Sequence, residues 1–181
     1  MFVTPRISRE EAEDILSRRS SIFPGKRKSK KSLSLKRIEL IYLPFYVFEV
    51  IARDQAQSPK ALISLDGLLG DNWFFFKENL EYTECTDSVK YPTCPFRVEE
   101  SAARRAAADK YKWFRLEYRF RLKEKLTAVE IAGSRKMYYP FWVGYFPKRN
   151  GYDFRLADAV SGEVQGVRMR GVFLKALRSL E

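Results

Sequence analysis

The sequence predicts an α+β fold in which one unit, a helix followed by an antiparallel meander, is written twice in tandem, with the copies related by pseudo-two-fold symmetry. Three observations predict it. YLPFYV (Tyr42–Val47) and YYPFWV (Tyr138–Val143) share the pattern Tyr-x-Pro-Phe-aromatic-Val at an offset of 96 residues. TPRISREEA and CPFRVEESA share Pro5/Pro95, Glu10/Glu100 and Ala12/Ala102 at an offset of 90. LISLDGLLG and FRLADAVSG share Asp-x-x-x-Gly, as Asp66/Gly70 and Asp158/Gly162, at an offset of 92. The matches keep one order, so the chain divides into repeats spanning 1–90 and 91–181.

The elements follow in chain order. Ser8-x-x-Glu11 is a capping box, and Ala12, Ile15, Leu16 and Arg19 continue at helical spacing until Phe23-Pro24-Gly25 stops the helix. In the second unit Glu99 and Glu100 suit a first helical turn, and SAARRAAADKYKWF propagates it to about residue 114. Residues 115–125 stay open, because LEYRFRLK alternates as a strand would. Each helix precedes a Tyr-x-Pro-Phe strand that is apolar on both faces, as a strand covered on each side requires. Proline donates nothing to a ladder, so Pro44 and Pro140 predict a shared edge or bulge. A loop follows in each unit, ARDQAQSPK or the shorter PKRNG, then a second strand, the Asp-x-x-x-Gly turn and a third strand. That third strand is NWFFFK in one unit and EVQGVRMR in the other, and VFLKALRSL closes the chain as a short amphipathic helix.

The order helix, hairpin, then Asp158-Ala159-Val160-Ser161-Gly162-Glu163-Val164 resembles a PepSY-like unit, of cystatin-like type, whose hairpins end in such a turn. The first repeat departs from it, with Asp66-Gly67-Leu68-Leu69-Gly70-Asp71. The Tyr-x-Pro-Phe/Tyr-aromatic strand also resembles segments of bacterial proteins. The resemblance implies a non-catalytic module that binds or restrains another protein, so a protein partner is expected.

The net charge is +11, and nearly all of it lies in two segments. Residues 26–37 carry seven positive charges and no negative one; residues 104–125 carry nine and three. Lys26, Arg27, Lys28, Lys30, Lys31, Lys36 and Arg37 form one cluster. On a helix, Arg104, Lys112, Arg115, Arg119 and Lys123 fall within about 100° of arc and form the other. Gripping a phosphate backbone is the alternative function these twelve residues offer, without sequence specificity, since no helix-turn-helix, zinc-finger or RNP-type motif is visible. Against it stands the ordinary role of charge runs as solvated surface. A third reading, a small-molecule or lipid carrier, uses the aromatic strands and requires a pocket.

The chain contains no histidine, which removes Ser-His and Cys-His nucleophile pairs and histidine-bearing metal sites. There is no Walker loop and no GxGxxG after a strand. Asp66, Asp71, Asp153 and Asp158 are the carboxylates left for acid–base work, and all fall at predicted turns. A non-enzymatic protein without a cofactor is expected. Cys85 and Cys94 read as reduced thiols, no apolar run approaches the ~18 residues of a spanning helix, and MFVTPRISREE is not a signal peptide, so the expected location is cytoplasmic.

Overall fold

A computed structural model gives the architecture and describes residues 1–18, 34–53, 60–76, 79–83, 93–120 and 128–178. In chain order the elements are β1 (Phe2–Val3), α1 (Arg9–Ser17), β2 (Arg37–Arg53), β3 (Lys60–Asp66), β4 (Trp73–Phe75), β5 (Tyr82–Thr83), α2 (Glu100–Phe120), β6 (Ala128–Lys148), β7 (Gly151–Asp158) and α3 (Val167–Leu177). The fold is α+β, with three helices and one seven-stranded sheet among the described residues. Strand order is β4-β3-β2-β6-β1-β5, with β7 hairpinned onto β6, and every pairing of strands is antiparallel except β1 with β6.

The two proline-bearing strands are the centre of this sheet. β2 pairs with β6 at every residue from Arg37 to Arg53, through Tyr42↔Pro140, Leu43↔Tyr139 and Pro44↔Tyr138. The expected edge or bulge is therefore corrected: both prolines lie inside central strands, and the register shift falls further along, between Glu49 and Val50. The backbone shows why they are tolerated. A residue in a strand sends its N–H and C=O to the same side. The Pro44 carbonyl accepts from Gly67 N–H at 2.7 Å and the Pro140 carbonyl from Ala159 N–H at 3.2 Å, both on the flank away from the partner strand. The missing donors thus face the outer flanks, and the β2–β6 ladder loses no bond.

Alternation sorts the aromatic strands between two covered faces. One face carries Ile38, Leu40, Tyr42, Tyr46 and Phe48 of β2 with Trp142 and Phe146 of β6, under α1 and α2. The other carries Ile41, Leu43, Phe45 and Val47 with Met137, Tyr139, Phe141 and Val143. There Met169, Val172, Phe173 and Ala176 of α3, spaced i, i+3, i+4 and i+7, pack with Phe154 and Leu156 of β7.

The capping box forms as the sequence requires: Ser8 Oγ accepts from Glu11 N–H at 3.2 Å and Glu11 Oε2 accepts from Ser8 N–H at 2.8 Å. α1 ends at Ser17, short of Phe23-Pro24-Gly25, which lies outside the described residues. α2 runs to Phe120, so LEYRF (Leu116–Phe120) is helix in spite of its alternation; residues 121–125 lie outside the described residues. Tyr111, Phe114, Trp73 and Phe75 share ring contacts that seat this stretch against β4. Ala103 and Ala107, not Ala102, are the fully buried alanines of α2, as Ala12 is of α1. EVQGVRMR is not a third strand. Val164 makes one bridge to Ala157, and the chain turns into α3 at Val167, because Met169 and Val172 gain more from the apolar sheet face than from an edge.

Each Asp-x-x-x-Gly segment closes a tight turn with its glycine in the left-handed region, at φ 71° for Gly70 and 76° for Gly162. Asp66 is fully buried, and its carboxylate accepts from five backbone N–H groups, those of Leu68, Leu69, Gly70, Asp71 and Asn72. Removing it takes a side-chain acceptor from five amides at once, of which Gly70 N–H alone keeps another, the Asp66 carbonyl. Asp66→Ala is expected to lower unfolding free energy by at least about 3 kcal/mol in urea titrations, and Asp158→Ala, which frees two amides, by about 1–2 kcal/mol. Equal losses would contradict this account of the turns.

Candidate functional site

The two turns are alike in backbone and unlike in what surrounds the aspartate. Asp158 Oδ1 accepts from Val160 N–H at 2.8 Å and Ser161 N–H at 3.0 Å. The Tyr139 hydroxyl donates to the same carboxylate, lying 3.1 Å from Oδ1 and 3.0 Å from Oδ2. A carboxylate offers about four acceptor positions. Asp66 is saturated by its own turn, whereas Asp158 keeps capacity on Oδ2 and is only partly buried.

That spare capacity faces a cleft of about 910 Å³ on the α3 side of the sheet. Its floor is Tyr139, Phe141 and Asp158; Phe74, Phe76 and Leu80 form one wall, and Val160 and Met169 the other. β6 supplies the floor because its aromatic residues alternate, which sends Tyr139 and Phe141 to this face and Tyr138 and Trp142 to the opposite one. Phe74 stands edge-on to Tyr139, with ring centroids 5.8 Å apart. Arg6 holds the rim, donating to the Asn79 carbonyl at 2.6 Å, with Glu81 at 3.9 Å. The size and lining match small-molecule sites, which are mostly apolar with a few convergent polar groups and occupy ~300–1,000 Å³.

Burial first, and then the charge of Asp158, push the Tyr139 phenol far above its ordinary value. The hydroxyl therefore stays protonated and acts as a donor to Asp158 rather than as a base. Asp153, by contrast, is held down at about 2 by hydrogen bonds from Lys148 (3.0 Å) and Arg170 (2.7 Å), and so is committed to an ion-pair network. Asp71 is exposed beside the Asp66 turn. Cys94 is a buried free thiol that desolvation pushes up, and Cys85 lies outside the described residues. Among the described residues no three His, Cys, Asp or Glu side chains come together as metal ligands, and no helix is long and apolar enough to cross a membrane.

A second cleft, of about 720 Å³, lies over β2 and β3. Its charges are already matched: Lys60 pairs with Glu49 at 3.2 Å, and Arg135 stacks over Phe76 and Tyr82.

Lys36 and Arg37 stand at the start of β2, and Arg104, Lys112 and Arg115 on α2. Lys26, Arg27, Lys28, Lys30, Lys31 and Lys123 lie outside the described residues, and Arg119 belongs to α2 with its side chain outside them. Arg104 donates to Ser134, which pairs with Phe48. Phe48 is eleven residues along β2 from Arg37, roughly 36 Å at the rise of a strand. Arg37 and Arg104 therefore do not share one groove. Trp113 of α2 is 73% exposed, but Asp109 and Glu117 flank it one turn either way, which disfavours a phosphate partner there.

Sequence reasoning identified Asp158 as a turn residue and missed its pairing with Tyr139 and the rim position of Arg6. A signal was present: the two aromatic strands match closely, yet Leu43 stands where Tyr139 adds a hydroxyl.

The pairing has a pH signature. The native Tyr139 phenol titrates above the unfolded value of about 10, so above that pH the unfolded chain releases a proton that the folded chain keeps. Stability is expected to fall as pH rises past 10, and Tyr139→Phe to flatten that fall. Urea midpoints at neutral and alkaline pH measure it; an unchanged slope would contradict the pairing. No family model, no curated protein and no solved structure matches this chain.

Proposed function

We propose that the protein is a non-enzymatic binding protein, built from two copies of one PepSY-like helix-and-hairpin unit about an approximate two-fold axis, which takes a small amphipathic ligand into the cleft beside Asp158. The hydrogen-bond registers support the duplication. Tyr42↔Pro140 and Pro44↔Tyr138 are one pairing written in both directions about Leu43↔Tyr139. Phe45 faces Asp66 as Phe141 faces Asp158. Phe2 lies parallel to Tyr138 as Thr93 lies parallel to Tyr42. The Gly67 carbonyl accepts from Arg97 and Val98 as the Ala159 carbonyl accepts from Arg6 and Ile7. Val3 and Cys94, Ala12 and Ala103 are buried in corresponding places at an offset of 91, one residue from the match between Ala12 and Ala102.

One observation carries the binding reading: the cleft opens where the two copies differ. The first copy closes its turn around a saturated Asp66, and the second leaves Asp158 partly satisfied at the floor of an aromatic-walled space. A neutral solvatochromic dye such as Nile red tests it. The protein is expected to bind the dye with enhanced emission, and Val160→Trp, which fills the cleft from a partly buried wall position, to lose at least about tenfold in affinity while keeping its urea midpoint. Equal dye binding by Val160→Trp would remove the cleft as the site. Turnover of any member of a broad hydrolase panel, abolished by Asp158→Asn, would replace binding with catalysis.

A further inference from the structure

We propose that the ligand of this cleft carries a cationic N–H donor, an alkylammonium group, on an aromatic or aliphatic body, and that the Asp158 carboxylate with the Tyr139 hydroxyl is its anchor. The inference rests on the binding reading above and names the chemistry of its occupant.

Three features of the cleft point to a cation. The first is what its floor can still accept. Asp158 is acceptor-only when ionised, and Oδ2 receives a single hydrogen bond, from Tyr139. The Tyr139 proton is spent on that carboxylate, so the phenol oxygen has lone pairs and no donor left to offer a ligand. The second is the balance of charge. The chain as a whole is at +11, yet among the described residues two carboxylates, Asp158 and Glu163, line the cleft against one guanidinium, Arg6. That guanidinium is turned to the Asn79 carbonyl and Glu81 at the rim. The third is the walls. Phe74, which is partly buried, offers ring surface on which a cation is favoured and an anion is not, and with the buried Phe76 and Phe141 behind it gives the hydrocarbon body an apolar lining. A neutral amphiphile would use the walls and leave the charge of Asp158 unmatched. A carboxylate would meet Asp158 at the floor.

Three probes with one carbon skeleton separate these cases: phenylbutylamine, phenylbutanol and phenylbutyrate, titrated calorimetrically into the full chain. The amine is expected to bind at least about tenfold more tightly than the alcohol, because its charge adds ion pairing to a hydrogen bond that both probes can donate to the Asp158 carboxylate. Asp158→Asn, which keeps the turn acceptor and removes the charge, should erase that preference. Asp153→Asn, outside the cleft, should leave it unchanged. A blocked apolar peptide bearing one lysine, if it binds more tightly than the free amine, assigns the same ammonium chemistry to a partner's side chain. Equal affinities for amine and alcohol overturn the proposal. So does a preference for phenylbutyrate that Arg6→Gln abolishes, since the rim would then be the anchor. Should the neutral dye bind and the amine fail, the ligand class is wrong and the binding reading stands; should neither bind, the cleft itself is not a binding site.

Discussion

The antiparallel ladder between β2 and β6 is the constraint from which the rest of the structure follows. It runs from Arg37 to Arg53 with one register shift, between Glu49 and Val50, and every other major element is attached to it: β3 on the flank of β2, β7 on the flank of β6, α1 and α2 above, and α3 below. Two prolines at its centre are compatible with it only because their ring nitrogens face the flanks. On those flanks the chain cannot continue as an ordinary strand, and there each Asp-x-x-x-Gly turn leaves the sheet, through Gly67 on one side and Ala159 on the other. Proline placement therefore fixes where the turns occur, and the turns fix where the aspartates sit.

From that point the two sides diverge, and the divergence is chemical. Five amides around Asp66 make a closed, dry corner whose carboxylate can do nothing but hold the turn. Around Asp158 the turn is shorter, reaching Glu163 where the first reaches Asn72, and a tyrosine hydroxyl replaces the missing amides. Substituting one hydroxyl for several amides leaves the carboxylate held in place yet unsaturated. Chain paths after the turns widen the difference: the first continues as β4 along β3, and the second leaves the sheet as α3. The space between β4 and α3 is the cleft.

Much of this was legible in the residues, for identifiable reasons. A serine with glutamate three residues on can satisfy each other's neighbouring amides at a helix start, and Ser8 and Glu11 do. Aromatic residues on both faces of a strand need cover on both sides, and both faces of β2 and β6 have it. The α+β class followed from these alone. What failed, failed where tertiary context overrides a local rule. Pro44 points to an edge on local grounds, since a missing donor says nothing of which flank it faces. LEYRFRLK alternates, but over Leu116–Phe120 the chain is the end of a long helix, where the contacts of Phe114 and Tyr111 with β4 outweigh that pattern. EVQGVRMR read as a strand until the demand of Phe154 and Leu156 for an apolar cover drew Met169 and Val172 into a helix. The Tyr139–Asp158 pair was invisible because it joins residues on two strands, and no spacing within one segment encodes it.

Native-state hydrogen exchange across the central ladder tests the central claim most directly. The amides of Leu43, Phe45, Tyr139 and Phe141 point between β2 and β6, so opening any of them requires parting the ladder. The account predicts that all four exchange only through global unfolding, with one common free energy that equals the value from urea titration. Exchange in two separate steps, one for residues of the first half and another for those of the second, would show that the halves fold independently and that the ladder does not hold the molecule together.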